Sequence, residues 1–264
     1  MRKHANEPHL PIALILTTLC ALTTHAQEPL IVDFPDKNLE AAIRQTINKP
    51  KGDIQQTDLV GTGFTSLTAT NANIADLTGL EYCTDLTWLA LSVDGISDIS
   101  VLASLTNLKE LNLPENQISD ISALAGLDNL RLLNLSSSQI SDISALAALT
   151  NLSFLQLWDN QISDLSTLAS LTNLTDLSLG SNLISDLSAL AGLTNLIDLY
   201  LDDNPIRGIR SWITIARIEC RGAWRALGST KQALLVAGVA LFVAVIVTLR
   251  VWARRVSKRY TREP

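Results

Sequence analysis

The stretch LKELNLPENQISDISALAGLDN occupies residues 108–129 and recurs, with substitutions, along most of the chain. When the copies are aligned on their first leucine, the chain shows a strict 22-residue period, and Phe64 begins an earlier, degenerate copy. Such a period is typical of solenoids, in which one coil buries its apolar side chains only against its neighbours. The aligned leucines are Leu86, Leu108, Leu130, Leu152, Leu174 and Leu196.

The two halves of the repeat have different apolar spacings. Leu111 and Leu113 alternate with non-leucine residues, which predicts a short strand with its leucines facing inward. From Ile118 to Leu130 an apolar residue recurs at every third position, a spacing that fits 3₁₀ turns better than an α-helix. The sequence therefore predicts an α/β solenoid with parallel strands on one face and 3₁₀ turns on the other.

Two polar ladders follow the repeat. An asparagine recurs just past the strand, where its amide can satisfy backbone groups at the turn; Asp94 and Ser138 replace it in two coils, which we expect to be weaker. An aspartate recurs in Ile-Ser-Asp strings. Stacked carboxylates suggest a calcium column, but the sequence favours hydrogen bonds from the amides of each coil's own 3₁₀ turn. The ladders are Asn116, Asn160, Asn182 and Asn204, and Asp98, Asp120, Asp142, Asp164 and Asp186.

The strings Leu-Thr-Asn-Leu, Asn-Gln-Ile-Ser-Asp-Ile and Ser-Ala-Leu-Ala resemble the 22-residue leucine-rich repeats of bacterial internalins over residues 30–206. Residues 34–44, FPDKNLEAAIR, are similar to that family's helical N-terminal cap. The resemblance implies that the strands form the concave face. Because no Leu-Pro-x-Thr-Gly motif occurs, the resemblance does not imply that this chain is anchored to a cell wall. The apolar face of the cap helix comprises Leu39, Ala42, Ile43 and Ile47.

Two further apolar segments lie outside the repeats. Residues 1–26 combine Arg2 and Lys3 with an apolar run and small residues before position 27, which predicts a cleaved signal peptide. Residues 233–253 predict one transmembrane helix, because residues 233–249 carry no charge and Arg250 can extend its charged end to the interface, so that the segment spans a hydrocarbon core. Basic residues flank that helix almost equally, so the export signal decides the orientation.

These segments divide the chain into a cap, a repeat domain and a membrane anchor. The basic segment before the membrane helix has an apolar helical face, and it fits both a helix that closes the last coil and a helix that lies on anionic lipid. The predicted parts are the signal peptide 1–26, the N-terminal cap 27–63, the repeats 64–206, the juxtamembrane segment 207–232, the membrane helix 233–253 and a cytoplasmic tail 254–264.

The charge is divided between the solenoid and the anchor. Residues 28–206 contain 23 acidic and 6 basic residues, whereas residues 207–264 contain 2 acidic and 12 basic ones. An acidic body is a poor match for nucleic acid, whose phosphates require a basic face. We therefore expect no nucleic-acid partner.

The residues needed for catalysis are scarce. All three histidines lie in the predicted signal peptide, and the sequence contains no phosphate-binding glycine loop. Cys83 and Cys220 lack metal-ligand spacing, and Cys83 is predicted to be a small buried thiol rather than half of a disulfide with Cys220. We expect no enzymatic activity, no metal and no cofactor.

The outward strand positions predict a binding surface with exposed aromatic side chains and an acidic lower end. Exposed aromatic residues on one face are typical of protein recognition, although strand propensity alone also favours them. The surface predicts a protein ligand, basic or glycan-bearing, held on the concave face of a module anchored in the cell membrane and facing outward. The candidate residues are Trp88, Leu132, Phe154, Trp158, Asp176, Asp198, Tyr200 and Asp202.

Two other functions remain open from the sequence. The chain fits a structural component of an envelope complex, recruited through residues 207–232. A cytosolic regulator of the phosphatase-regulator type shares the 22-residue period, but the export signal argues against it.

Overall fold

The computed structural model describes residues 30–93 and 95–207, together with the separate positions Ile215 and Ile218. Within these described residues, no helix is both long enough and apolar enough to cross a bilayer.

Several sequence predictions fall outside this part of the chain. Asp94 and Cys220, the cysteine that the sequence does not predict to pair with Cys83, are not described. The same holds for the signal peptide at 1–26, almost all of the juxtamembrane segment 207–232, the membrane helix at 233–253 and the tail at 254–264.

Seven parallel strands form one sheet in chain order, and we number the coils 1 to 7 by their strands. Each strand pairs with the next in a register of 22 residues, so that Trp88 lies beside Glu110, and Phe154 beside Asp176. The predicted parallel solenoid is confirmed. The strands are β1 (Ser66–Thr70), β2 (Trp88–Ser92), β3 (Glu110–Asn112), β4 (Leu132–Asn134), β5 (Phe154–Gln156), β6 (Asp176–Ser178) and β7 (Asp198–Tyr200).

The opposite face of the solenoid is built from 3₁₀ turns, as the three-residue apolar spacing predicts. The turn leucines point inward: Leu102, Leu124 and Leu146 have no exposed surface. Short 3₁₀ turns rather than α-helices keep each coil within 22 residues. The described turns are Leu80–Tyr82, Ser100–Ser104, Ser122–Leu124, Ser144–Ala148, Ser166–Ser170 and Ser188–Gly192.

A single continuous core runs through the stacked coils. The repeated leucines and isoleucines belong to one cluster of buried side chains that extends from the N-terminal cap to the last coil. Leu111 and Leu113, the strand leucines of coil 3, are fully buried. Because a fully buried leucine contributes about 1.5–3 kcal/mol, this leucine interior is the main source of stability.

The predicted asparagine ladder is confirmed, and its bonds run between coils. Asn160 Oδ1 accepts a hydrogen bond from the amide of Ile140, at 2.9 Å, in the preceding coil. Its Nδ2 donates to the carbonyls of Leu135 and Leu157 at 3.0 and 3.2 Å. In coil 4 the ladder is interrupted: the buried Oγ of Ser138 has no hydrogen-bond partner among the described residues.

The aspartate ladder caps the 3₁₀ turns. Asp120 Oδ1 accepts a hydrogen bond from the amide of Ser122 at 2.8 Å, and the other four aspartates make the equivalent bond. Each aspartate lies one residue before the N-cap position, which an isoleucine or leucine occupies. The amide hydrogen bond lowers the pKa of Asp98, Asp120 and Asp142. These bonds account for the ladder without a metal ion.

An α-helix, α1 (Lys37–Thr46), covers the first coil, as predicted. Leu39 and Ile43 are fully buried, and Ala42 and Ile47 pack against the same core. A short second helix, α2 (Gln56–Leu59), follows and buries Leu59. The cap thus closes the end of the leucine interior that no preceding coil covers.

Asp36 joins the cap helix to the solenoid. One carboxylate oxygen accepts hydrogen bonds from the amides of Asn38 and Leu39, which caps the helix. The other oxygen accepts from the amides of Ala75 and Asp76 in coil 1, at 2.8 and 3.3 Å. A single side chain therefore fixes both the start of the helix and its position on the first coil.

At the other end of the core, Ile218 is only 2% exposed and belongs to the core cluster. Ile215 is partly buried against that cluster, as are Leu201 and Ile206 of the last coil. These two described helical positions of the segment 207–232 therefore pack against protein.

Candidate functional site

The outward side chains of the strands form straight rows, because equivalent residues lie side by side in the sheet. We define the strand face by three rows. Row one comprises Trp88, Glu110, Leu132, Phe154, Asp176 and Asp198; row two comprises Ala90, Asn112, Asn134, Gln156, Ser178 and Tyr200. Row three lies at or just beyond the ends of the strands, where each carbonyl accepts a hydrogen bond from an amide of the preceding coil; it comprises Ser92, Pro114, Ser136, Trp158, Gly180 and Asp202.

The aromatic side chains of the strand face are exposed to different extents. Tyr200 is 57% exposed, Trp158 45% and Trp88 39%. Phe154 and Leu132, also expected on an exposed patch, are half-buried. Trp88 lies three coils away from Phe154, so the aromatic surface is concentrated in coils 5 to 7.

The indole of Trp158 covers the neighbouring coil at Gly180. A Cβ at position 180 would stand 2.7 Å from Trp158 Cδ1 and 3.1 Å from Nε1. Gly180 is buried although it occupies an outward position. The absence of a side chain at position 180 therefore makes room for the indole of Trp158.

A depression of about 300 Å³ opens on the strand face over coil 6. Its outward lining is Phe154 and Gln156 from coil 5, Asp176 and Ser178 from coil 6, and Tyr200 from coil 7. Ser178 is small and lies between the longer Gln156 and Tyr200 in row two. Two coils with large side chains thus flank one with small side chains.

The depression has an acidic margin. Asp176 and Asp198 are register partners in adjacent strands, which places their backbones about 4.8 Å apart. Asp202 lies beyond Gly180 at the end of row three and is exposed. The three ion pairs of the described residues all lie in the N-terminal cap, so none of these carboxylates is paired with a described lysine or arginine.

In coils 3 and 4, polar side chains of the strand face form hydrogen bonds with one another and with the backbone. Asn134 Nδ2 donates a hydrogen bond to Asn112 Oδ1 at 2.8 Å, and Asn134 Oδ1 accepts one from the amide of Ser136. These amides are already partnered within the solenoid. Coils 3 and 4 therefore offer fewer free polar groups than coils 5 to 7.

A second depression, of about 310 Å³, lies on the opposite face between the aspartate turns of coils 3 and 4. Asp120 and Asp142 line it, but both carboxylates accept hydrogen bonds from their own turns. No group of histidine, cysteine, aspartate and glutamate side chains within the described residues is arranged to hold a metal ion.

The strand register agrees with the rows that the 22-residue period predicts, but a second asparagine ladder was not predicted. The asparagines of the Leu-Thr-Asn-Leu strings and their equivalents donate Nδ2 hydrogen bonds to the preceding coil, for example Asn173 to the carbonyl of Thr150 at 2.8 Å. The 22-residue recurrence of these asparagines is the signal that could have found it. The ladder comprises Asn107, Asn129, Asn151, Asn173 and Asn195.

Comparison with known proteins identifies the repeats independently. A family model described as leucine-rich repeats (2 copies) matches four overlapping segments, residues 106–149, 128–170, 150–192 and 172–214. No curated protein matches the chain at a significant level.

Solved structures of Listeria monocytogenes internalins resemble the fold. The internalin inlF is 33% identical, with a TM-score of 0.60; the match covers 74% of this chain and 65% of inlF. Internalin C2 is also 33% identical, with a TM-score of 0.57, and the match covers 73% of this chain and 95% of that protein. The functional domain of InlJ, described as including a cysteine ladder, is 25% identical with a TM-score of 0.54, over 67% of this chain and 43% of that one.

Proposed function

The chain belongs to the internalin-type leucine-rich-repeat proteins, and from this premise we propose that it is a non-catalytic module that binds a protein ligand on its strand face. The observation that carries the proposal is the surface of coils 5 to 7. There, Phe154 and exposed Tyr200 line a depression beside carboxylates that have no described basic partner, and exposed Trp158 lies on the same strand face in coil 5. Exposed aromatic side chains beside a pocket are the usual anchors of protein interfaces.

Photocrosslinking from the strand face tests this proposal directly. A photoreactive amino acid in place of Gln156 lies in the depression, whereas the same amino acid in place of Ala147 lies exposed on the turn face. We expect a discrete protein adduct from position 156 and none from position 147 in intact cells. Adding Phe154→Ala and Trp158→Ala should abolish the adduct. Equal adducts from both positions would refute a ligand on the strand face.

We further propose that the module is displayed outside the cytoplasm on a single-pass membrane anchor. The support is the sequence of residues 1–26 and 233–253, combined with the acidic solenoid and basic tail. In a Cys220→Ser background, a membrane-impermeant thiol reagent should label Ala147→Cys on intact cells and should label Ser257→Cys only after lysis. The reverse pattern would place the solenoid in the cytoplasm.

The buried position of Ile218 supports a capping role for the segment 207–232. A segment that packs against the last coil holds the solenoid close to the bilayer. The alternative, recruitment of an envelope complex through this segment, predicts that Phe154→Ala and Trp158→Ala leave the complex intact. Ile218→Asp would disrupt both a cap and such a complex, so only the strand-face variants separate the two functions.

A further inference from the structure

The depression over coil 6 has the chemistry of a site for one particular side chain. Resting on the proposed function, we propose that this depression binds an arginine side chain of the protein ligand, stacked between Phe154 and Tyr200 and paired with Asp176 and Asp198.

The shape of the depression comes from alternation of side-chain size across three coils. Phe154 and Gln156 rise from coil 5, and Tyr200 rises from coil 7. Between them, coil 6 contributes only Asp176 and Ser178 to the lining, apart from the inward leucines. A slot of about 300 Å³ with aromatic walls accepts a flat group better than a branched one.

The charge around the slot selects a cation. Residues 154–207 contain seven aspartates, no glutamate or lysine, and a single arginine, Arg207. The amide of Arg207 donates to the carbonyl of Ser185, outside the strands. Arg131 belongs to coil 4, two strands from Asp176 and therefore about 10 Å away along the sheet. No lysine or arginine of the described residues lines the slot.

Adjacent aspartates also cost stability in the free protein. Asp176 and Asp198 are direct register partners, and like charges in this arrangement repel each other. One oxygen of Asp176 accepts a hydrogen bond from Thr175 Oγ1 at 2.5 Å, which leaves its second oxygen for a ligand. A cation between the two strands would relieve the repulsion. A surface that is less stable when empty than when occupied is expected of a binding site.

Arginine fits this combination better than lysine does. Its guanidinium is planar, stacks on aromatic rings, and presents several N–H donors to two carboxylates at once. A lysine ammonium supplies charge without a flat surface. The geometry therefore favours a guanidinium that stacks on the aromatic walls while donating to Asp176 and Asp198.

Fluorine NMR of the full-length chain in detergent tests the site with short synthetic peptides in place of the ligand. The chain contains five tryptophans, and 5-fluorotryptophan labelling gives one resonance for each. A Trp158→Phe variant assigns the resonance of Trp158, which lies in coil 5, the same coil as Phe154 and Gln156 of the slot. The probe is an acetylated, amidated Gly-Gly-Arg-Gly-Gly peptide. Its matched control contains citrulline, which has nearly the same shape as arginine without its charge, and a third peptide contains lysine.

We expect the arginine peptide to shift the Trp158 resonance saturably and to leave that of Trp88, three or more coils away, unchanged. The citrulline and lysine peptides should bind at least about tenfold and a few-fold more weakly, respectively. Combining Asp176→Asn and Asp198→Asn should weaken arginine binding about tenfold or more. Combining Asp53→Asn and Asp128→Asn, two exposed positions with the same change of net charge, should not.

The proposal fails if citrulline binds as well as arginine, or if the two charge variants behave alike. It also fails if the lysine peptide matches the arginine peptide. This failure can be distinguished from failure of the proposed function. If position 156 still gives a crosslinked protein adduct but no arginine peptide binds, the strand face remains the ligand surface and only the arginine site is refuted.

Discussion

The indole of Trp158 lies on the backbone of Gly180, so close that a Cβ at position 180 would stand 2.7 Å from Trp158 Cδ1. The contact joins coil 5 to coil 6 on the strand face. It sets the orientation of the most exposed tryptophan among the described residues, because a larger residue at position 180 would displace the ring.

Gly180→Ala should therefore change the strand face without unfolding the protein. The backbone of Gly180 is not in a left-handed conformation, so alanine is permitted; its Cβ would meet mainly the movable indole and also, at 3.3 Å, the backbone oxygen of Asp202. We expect a shifted Trp158 fluorine resonance, weaker ligand crosslinking at position 156 and a stability loss of about 1 kcal/mol or less. Gly126→Ala is the matched control, since a Cβ there meets no atom within 4 Å.

Ser138→Asn should stabilise the solenoid. Asn160, one coil further on, bonds to an amide and three carbonyls, whereas the Oγ of Ser138 has no partner among the described residues. Completing the ladder should raise the free energy of unfolding by about 1–2 kcal/mol, measured by urea denaturation. Asn160→Ser, the reverse change in an intact coil, should lower it by a similar amount. A Ser138→Asn variant of unchanged stability would contradict this account of the ladder.

Val93→Asn should also stabilise the protein. Val93 has φ of 60°, a left-handed conformation that a β-branched residue adopts only with strain. The equivalent positions, Glu115, Ser137, Asp159 and Ser181, have the same conformation without β-branching. We expect a gain of about 1 kcal/mol in thermal denaturation, and a comparable loss for Ser137→Val. If both variants have the same melting temperature as the wild type, the backbone strain at position 93 is absent in solution.

Asp36→Asn should weaken the junction between the cap and coil 1, and it should make the free energy of unfolding less dependent on pH in the acidic range. Burial acts to raise the pKa of Asp36, but hydrogen bonds from the amides of Ala75, Leu39, Asp76 and Asn38 outweigh it and lower the pKa below 3.8. The carboxylate therefore contributes stability that is complete above the unfolded-state pKa and is lost as pH falls through the lower folded-state value.

Urea midpoints measured between pH 7 and pH 3 test this expectation. Near neutral pH, Asp36→Asn should cost about 1–2 kcal/mol, because the amide nitrogen cannot accept the bonds from Ala75 and Asp76. The difference from the wild type should narrow as the pH drops below about 4. Asp53→Asn serves as the control for general charge effects. A constant difference across the whole range would exclude a titrating Asp36.

Cys83 should not react with thiol reagents in the folded protein. Its thiol is free and fully buried, and burial, with a smaller effect of Glu81, raises its pKa to about 12. Because the neutral thiol is favoured in the folded state, stability should fall as pH rises above about 9, where the unfolded thiol ionises. With Cys20 and Cys220 replaced by serine, labelling at pH 8 should require denaturant. Rapid labelling without it would show that coil 1 opens.

On the strand face, the sequence predicts which residues are neighbours but not how exposed their side chains are. Its rows follow from adding 22 to a residue number, so the repeat alone predicts the neighbours of Phe154: Leu132 on one side and Asp176 on the other. The exposure of these side chains does not follow in the same way. Phe154 and Leu132 are half-buried rather than forming an open patch, because exposure depends on the rotamers of neighbouring side chains.

The sequence by itself determined the solenoid, the parallel register, the 3₁₀ turns, both recognised ladders and the cap helix. This was possible because each coil has the same pattern of apolar and polar positions, and because backbone hydrogen bonds pair every strand with the next in the same 22-residue register. Only the tertiary structure showed that Trp158 covers Gly180, that Ser138 interrupts the amide ladder and that Val93 is strained. Repetition fixes where each backbone position lies, whereas the contacts of irregular side chains depend on their particular neighbours in the adjacent coils.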